Sequence, residues 1–267
     1  MKEKLFKPLK ELSQKAHVGS LEEYNNEYDR SIKDQNLFWE EKAERISWYK
    51  KWDSIGSFDY VNGVIKWFDG GKLNVSYNCL DRHVESGKGD RTALIWEGNN
   101  PEENKTFSYN DLLIEVKKFS NVLIGLGIQK GDRVCLYMQM VPQLPIAMLA
   151  CARIGAVHSV VFGAFSSDSL RDRINDSTCK ILITQDTGVR GVKQNISMKA
   201  NADKAVAETP SIEHVVVVKR TGEPVNMVKG RDVWWQDEML EVNDKCEPIE
   251  MNAEDPLFIL YTSGSTG

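Results

Sequence analysis

The rhythm of hydrophobic and polar positions changes near residue 92. From there on, short apolar runs alternate with helical patterns. "TALIWEG" reads as a first strand and "NNPEEN" as a turn. Ser108 with Asp111 three residues later is a capping-box start. Leu112, Leu113, Val116, Phe119, Leu123 and Leu126 then make one apolar face of a helix that Gly127 ends. After the turn "QKGD" the order is strand "RVCLYMQM", helix "QLPIAMLACARIGA", strand "VHSVVFG", helix "SSDSLRDRINDS", strand "CKILIT", helix "MKANADKAVAE" and strand "HVVVVKR". Pro145 falls in a first helical turn, where it is tolerated. Nearly continuous apolar strands separated by helices predict an α/β fold, a parallel sheet flanked by helices and buried on both faces, with right-handed crossovers. Residues 221–254 form a long polar excursion anchored by Trp234 and Trp235 before a last strand, "LFIL".

Before residue 83 the pattern is different. Charges mix with Tyr24, Tyr28, Phe38, Trp39, Trp48, Tyr49, Trp52, Phe58, Tyr60, Trp67 and Phe68, and Phe38, Ala43, Ile46 and Tyr49 recur at roughly helical spacing. This predicts short amphipathic helices in a wrapping segment, with the aromatics as anchors in preference to a ligand cage.

Composition narrows the function classes. The 267 residues are 41% hydrophobic, enough for one large α/β domain or two smaller ones. With 34 Lys plus Arg against 39 Asp plus Glu, the net charge of −5 lacks the surplus that a general nucleic-acid binder uses to neutralise phosphates. Five scattered cysteines without a C-x-x-C pair suggest neither a disulfide framework nor a zinc site, and they fit a reducing cytosol. The start of the chain has no apolar signal core, and no run approaches the ~18 apolar residues of a membrane span. Cys79, Cys135, Cys151 and Cys179 sit in apolar contexts and read as core thiols. His83 and His158 read as structural hydrogen-bonding groups in preference to general bases.

The strand "LFIL" runs into "YTSGSTG". Glycines let backbone N–H groups approach an anion and hydroxyls add donors, so this loop suits a phosphate at the carboxyl end of a strand; the same composition also suits a flexible linker. It is not a Walker A loop, because no glycine stands five before Gly267 and no lysine follows it. A phosphate loop works partly through the helix that follows it, and a buried strand needs cover on both faces. The chain therefore reads as the N-terminal part of a longer protein, unstable on its own because of apolar surface around residues 257–260.

"YTSGSTG" after "EDPLFIL", together with "YNCLDRHV", "TALIWEG", "LACARIGAVHSVVFGAFS", "GVRGVK" and "GRDVWW", resembles the AMP-forming acetyl-coenzyme A synthetases of the adenylate-forming superfamily, from about residue 24 onward. The resemblance implies an N-terminal extension at residues 1–82, then the first part of an AMP-binding domain at 83–267. It implies ligation in two steps: acetate and Mg-ATP give acetyl-adenylate and pyrophosphate, then CoA displaces AMP. Thr262, Ser263, Gly264, Ser265, Thr266 and Gly267 match the loop that holds the ATP phosphates. Arg190, Gly191, Val192 and Lys193 match the basic element that holds CoA. Lys193 stands where some relatives have Arg, which keeps the charge and weakens bidentate geometry. Gly163 and Ala164 match a glycine pair near the CoA adenine, with a methyl added at Ala164 that narrows backbone approach. Mg2+ ligands, the acyl pocket and the catalytic lysine are implied to lie beyond this sequence, so no catalytic residue is assigned within it. The partners implied are acetate, ATP and CoA, with no nucleic acid or membrane. Two other readings stand beside this one: a propionyl-CoA or other short-chain ligase, and a non-catalytic nucleotide- or CoA-binding module.

Overall fold

The computed structural model describes residues 6–262 and falls into two compact units that meet in sequence at Gly71 and Lys72. In the first unit, helices α1 (Lys10–Lys15), α2 (Leu21–Lys33) and α3 (Gln35–Ala43) precede strands β1 (Ser54–Asp59) and β2 (Val64–Asp69). Ser20 caps α2 by accepting from Glu23 N, and Asp34 caps α3 by accepting from Leu37 N. The helical spacing read across residues 37–52 extends only to Ala43. The antiparallel β1–β2 hairpin was not foreseen, although Asn62 and Gly63 mark its turn and Gly63 has φ of +67°. Asp59 Oδ1 accepts from Val61 N and Asn62 N at 3.1 Å and shapes that turn. The aromatics largely pack on one another: Trp39 on Trp67, Trp48 on Trp52, and Phe58 on Trp67, with ring centroids 5.0 to 5.9 Å apart.

In the second unit β3 (Lys72–Leu73) is followed by two π-helical turns, Tyr77–Asp81 and Val84–Lys88, then by β4 (Thr92–Glu97), β5 (Asn104–Ser108) and α4 (Tyr109–Gly125). The alternation continues with β6 (Arg133–Met138), α5 (Gln143–Arg153), β7 (Val157–Phe162), α6 (Ser167–Ser177), β8 (Ile181–Gln185), β9 (Gly188–Arg190), β10 (Lys193–Ile196), α7 (Met198–Val206) and β11 (His214–Val218). It closes with β12 (Asp232–Trp234), α8 (Trp235–Leu240), β13 (Met251–Asn252) and β14 (Phe258–Ile259).

A six-stranded sheet in the order β12-β11-β8-β6-β7-β14 is parallel at every pairing. Successive side chains leave opposite faces of a strand, so β6 sends Val134, Leu136 and Met138 into one core with α4, α5 and α8. Its Cys135 and Tyr137 enter another core with α6 and α7. Burying each large aliphatic side chain contributes roughly 1.5–3 kcal/mol. "TALIWEG" is a strand but does not join this sheet; β4 pairs antiparallel with β5 as a separate hairpin. Its exposed Ile95 is incompatible with a strand covered on both faces.

The helix read from residue 108 is present with its capping box, in which Ser108 Oγ accepts from Asp111 N and Asp111 Oδ2 accepts from Ser108 N. At its far end Gly127, with φ of +85°, lets Ile128 N reach Leu123 O at 3.0 Å, a Schellman closure. Trp235 stacks on Phe119 with centroids 3.5 Å apart, which anchors the polar excursion as its sequence suggests.

The "YNCLDRHV" segment serves as a tie. Asp81 receives both arms of the buried Arg153 guanidinium at 2.8 and 2.9 Å, and Arg153 Nε donates to Cys246 O at 2.7 Å. Nearby, Asn74 Nδ2 donates to the carbonyls of Ala152, Arg153 and Ile249. Of the cysteines read as core thiols, Cys135, Cys151 and Cys179 are buried, but Cys79 is exposed, because the π-helical turn carries it outward between Asn78 and Leu80. His158, buried in β7, stacks at 5.8 Å on Phe258, and its Nδ1 has no hydrogen-bond partner among the described residues. It is a packing residue, not the hydrogen-bonding one its sequence context suggested.

Two predictions follow from this packing. Asp81→Ala strands a buried guanidinium and should lower unfolding free energy by about 3–5 kcal/mol in urea titration, while the joint replacement Asp81→Leu with Arg153→Met costs far less. Burial drives the His158 pKa from 6.5 down to about 4. The folded state therefore resists protonation that the unfolded state accepts, and the stability His158 contributes is full above pH 6.5 and lost as pH falls toward 4. Melting curves across that range should show a shallower acid slope for His158→Leu than for the unmodified protein.

Candidate functional site

The chain enters the sheet at β6, moves to one side for β7, and then crosses to the other side of β6 for β8. Such a reversal leaves a crevice at the carboxyl ends of the strands. There lies an open cleft of about 1260 Å³. Met138 from the end of β6, Phe162 from the end of β7, and Val189 and Arg190 from β9 line it, with Trp96 of β4 and Arg220 beyond β11.

Two glutamines hold the strand tips at its floor. Gln185 Oε1 accepts from Gln139 N at 2.8 Å and Gln185 Nε2 donates to Thr187 O at 2.8 Å. The Gln139 side chain meets the Val189 peptide on both edges: Val189 N donates to Oε1 at 3.0 Å and Nε2 donates to Val189 O at 3.2 Å. These bonds satisfy backbone groups just past the ends of β6 and β8 and within β9. The buried Asp186 carboxylate accepts from the backbone N–H groups of Thr187, Arg220, Thr221 and Gly222, which fixes the loop that carries Arg220. The Arg220 guanidinium pairs with Glu103 at 2.5 Å, holding that carboxyl below its usual range, and lies 5.2 Å from the Trp96 ring. Trp96 Nε1 donates to Met140 O at 2.8 Å.

The basic residues read from sequence sit on the β9–β10 hairpin. Arg190 pairs with Lys193 across a two-residue turn of Gly191 and Val192, and Gly191 has φ of +57°, as the first place of a type II′ turn requires. Both cations are exposed, and among the described residues neither is in an ion pair. Gly163 and Ala164 follow β7 on the opposite lip, so the structure brings all six of these residues into the one cleft. A Cβ at residue 163 would stand 2.9 Å from Met138 O, so this position is closed to any side chain. The Ala164 methyl is exposed.

Thr262 is exposed just beyond β14, and Ser263, Gly264, Ser265, Thr266 and Gly267 lie outside the described residues. Its neighbour Tyr261 donates to Asp176 Oδ2 at 2.5 Å, and burial followed by the Asp176 carboxylate pushes its phenol up to about 12. The Arg173 guanidinium lies 4.8 Å from the Phe165 ring and 5.2 Å from the Tyr261 ring, bridging the cleft lip and the end of the strand. Tyr137 adds a bond from its hydroxyl to Phe165 O at 2.8 Å.

Gln139, Gln185, Asp186 and Arg220 were not read from the sequence. The available signal was a polar side chain ending an apolar strand, in "YMQM" and "ITQD". His83 lies outside the cleft, its ring 4.9 Å from that of Tyr109.

Comparison with known proteins extends the picture. A family model described as AMP-binding enzyme matches residues 80–267, and one described as Acetyl-coenzyme A synthetase N-terminus matches residues 24–79. The chain is 53% identical over 262 residues to an acetyl-coenzyme A synthetase of Rubrobacter xylanophilus, covering 98% of this chain and 40% of that protein. It is 51% identical over 269 residues to one of Bdellovibrio bacteriovorus, covering 100% and 41%. The chain thus spans about two fifths of the length of these relatives. Among solved structures, an acetoacetyl-CoA synthetase from Streptomyces lividans shares the fold at a TM-score of 0.82 and 22% identity, over 97% of this chain and 39% of that one. Because the AMP-binding enzyme model takes in the whole of the six-stranded sheet and most of the sequence, the chain belongs to the AMP-binding enzyme family.

Proposed function

We propose that the whole gene product is an acetate–CoA ligase, converting ATP, acetate and CoA to acetyl-CoA, AMP and pyrophosphate through an acetyl-adenylate. One observation carries this reading: Arg190 and Lys193, without ion-pair partners among the described residues, share a cleft at the carboxyl ends of the sheet with the crowded backbone of Gly163. Relatives named acetyl-coenzyme A synthetase, near half identical over almost all of this chain, supply the choice of acid.

In the first step an acetate oxygen attacks the α-phosphorus of ATP, and the bond to pyrophosphate breaks. In the second the CoA sulfur attacks the acyl carbon, its proton is lost, and AMP leaves. This chain's residues bind and orient. Arg190 and Lys193 hold CoA phosphates by charge; Gly163 and Ala164 offer backbone to the adenine; Thr262 begins the loop whose hydroxyl and N–H groups, with those of Ser263, Gly264, Ser265, Thr266 and Gly267, grip the ATP phosphates. ATP is taken as its Mg2+ complex. Among the described residues no helix is long and apolar enough to cross a membrane. We place the protein in a reducing cytoplasm because its five cysteines are all free thiols.

Acetate-dependent ATP–pyrophosphate exchange by the whole gene product, with propionate in parallel, is the test. Exchange should favour acetate. Arg190→Ala should raise the KM for CoA by about tenfold or more, the scale of one charge-assisted contact, while exchange without CoA persists. Preference for propionate would move the assignment to a neighbouring short-chain ligase, and no exchange with either acid would leave a binding module.

A further inference from the structure

The hairpin that carries Arg190 and Lys193 is a weak element by itself. Its ladder closes at one residue pair near the tip and then shifts register before Ile196, and a two-stranded ribbon in water is only marginally stable. Val192 at the turn is 97% exposed and anchors nothing. Two amide side chains from elsewhere hold the ribbon. Gln139 grips its base at Val189, as described above. At the tip the partner is Asn99, in the turn between β4 and β5: Asn99 Nδ2 donates to Gly191 O at 3.0 Å, and Gly191 N donates to Asn99 Oδ1 at 2.6 Å. One side-chain amide thereby occupies both hydrogen-bonding groups of Gly191, as a neighbouring strand would.

Asn99 is itself on a fixed support. Gly98 N donates to Glu103 O at 2.9 Å and Glu103 N to Asn100 O at 2.8 Å, closing the β4–β5 turn. The Glu103 side chain is tied to Arg220, and Trp96 on the same hairpin is bonded to Met140 O. A Cβ at Gly191 would meet nothing within 4 Å, so no packing braces the tip on that side and the Asn99 bonds tie it to the β4–β5 turn.

We propose that Asn99 is a positioning residue for the CoA grip: through the Gly191 peptide it holds Arg190 and Lys193 in the arrangement that meets the CoA phosphates. The role rests on the ligase reading above. Without the tie the tip is free to sample other conformations, and CoA must order it on binding, which weakens apparent affinity without altering the contacts in the bound state.

The test compares the whole gene product with its Asn99→Ala variant by calorimetric titration of CoA, amide hydrogen exchange at Gly191, and initial rates. Expected are faster exchange at Gly191, a Kd and KM for CoA raised about tenfold, as the loss of one or two net hydrogen bonds gives, and a KM for ATP and a kcat at saturating CoA that move less than about twofold. Faster exchange with unchanged CoA affinity would overturn the positioning role, and unchanged exchange would overturn the tie. Parallel losses for ATP and CoA would reassign Asn99 to general stability. An unmodified protein that neither binds CoA nor shows acetate-dependent exchange fails the ligase reading first and removes this role with it.

Discussion

A strand covered on both faces can offer a ligand only its end. Alternate residues of β6, β8 and β11 are committed to two separate cores, so neither face of the sheet's centre is open. What the six-stranded sheet itself offers the cleft is therefore the last residue of a strand or the segment that follows it, while Trp96 of β4 and Asn201 of α7 complete the lining. The sheet's share of the lining thus comes from the segments beginning at Gln139, Gly163, Asp186 and Lys219, and polar side chains at the strand ends turn back on the backbone there. Gln139, Gln185 and Asp186 complete, with amide and carboxylate groups, hydrogen bonding that the sheet gives up where its strands stop. The cleft is built from these repairs before any ligand contact is counted.

The segments that carry the sequence resemblance divide into two kinds once they are placed in space. "GVRGVK" and "VVFGAFS" reach the cleft, whereas "YNCLDRHV" does not line it. Asp81 lies in a π-helical turn and meets Arg153 from the "LACARIGA" segment in a buried bidentate pair, so two segments far apart in sequence are halves of one internal tie. A buried pair of this kind adds little net stability compared with apolar packing, but neither member tolerates loss of the other. Distinctive sequence can thus mark a structural obligation as readily as a chemical one.

The parallel sheet was legible because runs such as "HVVVVKR" and "CKILIT" have no polar face to expose, and the helix after Ser108 was legible because its cap, its apolar spacing and Gly127 agree. The β1–β2 hairpin has a turn signal in Asn62 and Gly63, but both strands are largely exposed and bury no alternating apolar face that would mark them as strands. "TALIWEG" could be read as a strand but not assigned to a sheet, since pairing partners are set by tertiary packing and not by the strand's own pattern. At the site, Arg190 and Lys193 stood out by resemblance, whereas Asn99 and Gln139 did not: an amide that imitates a peptide is recognisable only when the peptide it faces is in place.

Arg173 joins two regions that the proposed ligase would use for CoA and for the ATP phosphates. Its guanidinium is flanked by Phe165, on the lip with Gly163 and Ala164, and by Tyr261, which delivers the chain to Thr262. Asp176, one turn further along α6, receives the Tyr261 hydroxyl. Two residues of α6 thus touch both the lip and the residue before Thr262, so the helix acts as a crossbar between them. The spacing between the Phe165 lip and Tyr261 is thereby tied to one guanidinium 4.8 and 5.2 Å from the two rings, a gauge that flexible loops alone would not keep.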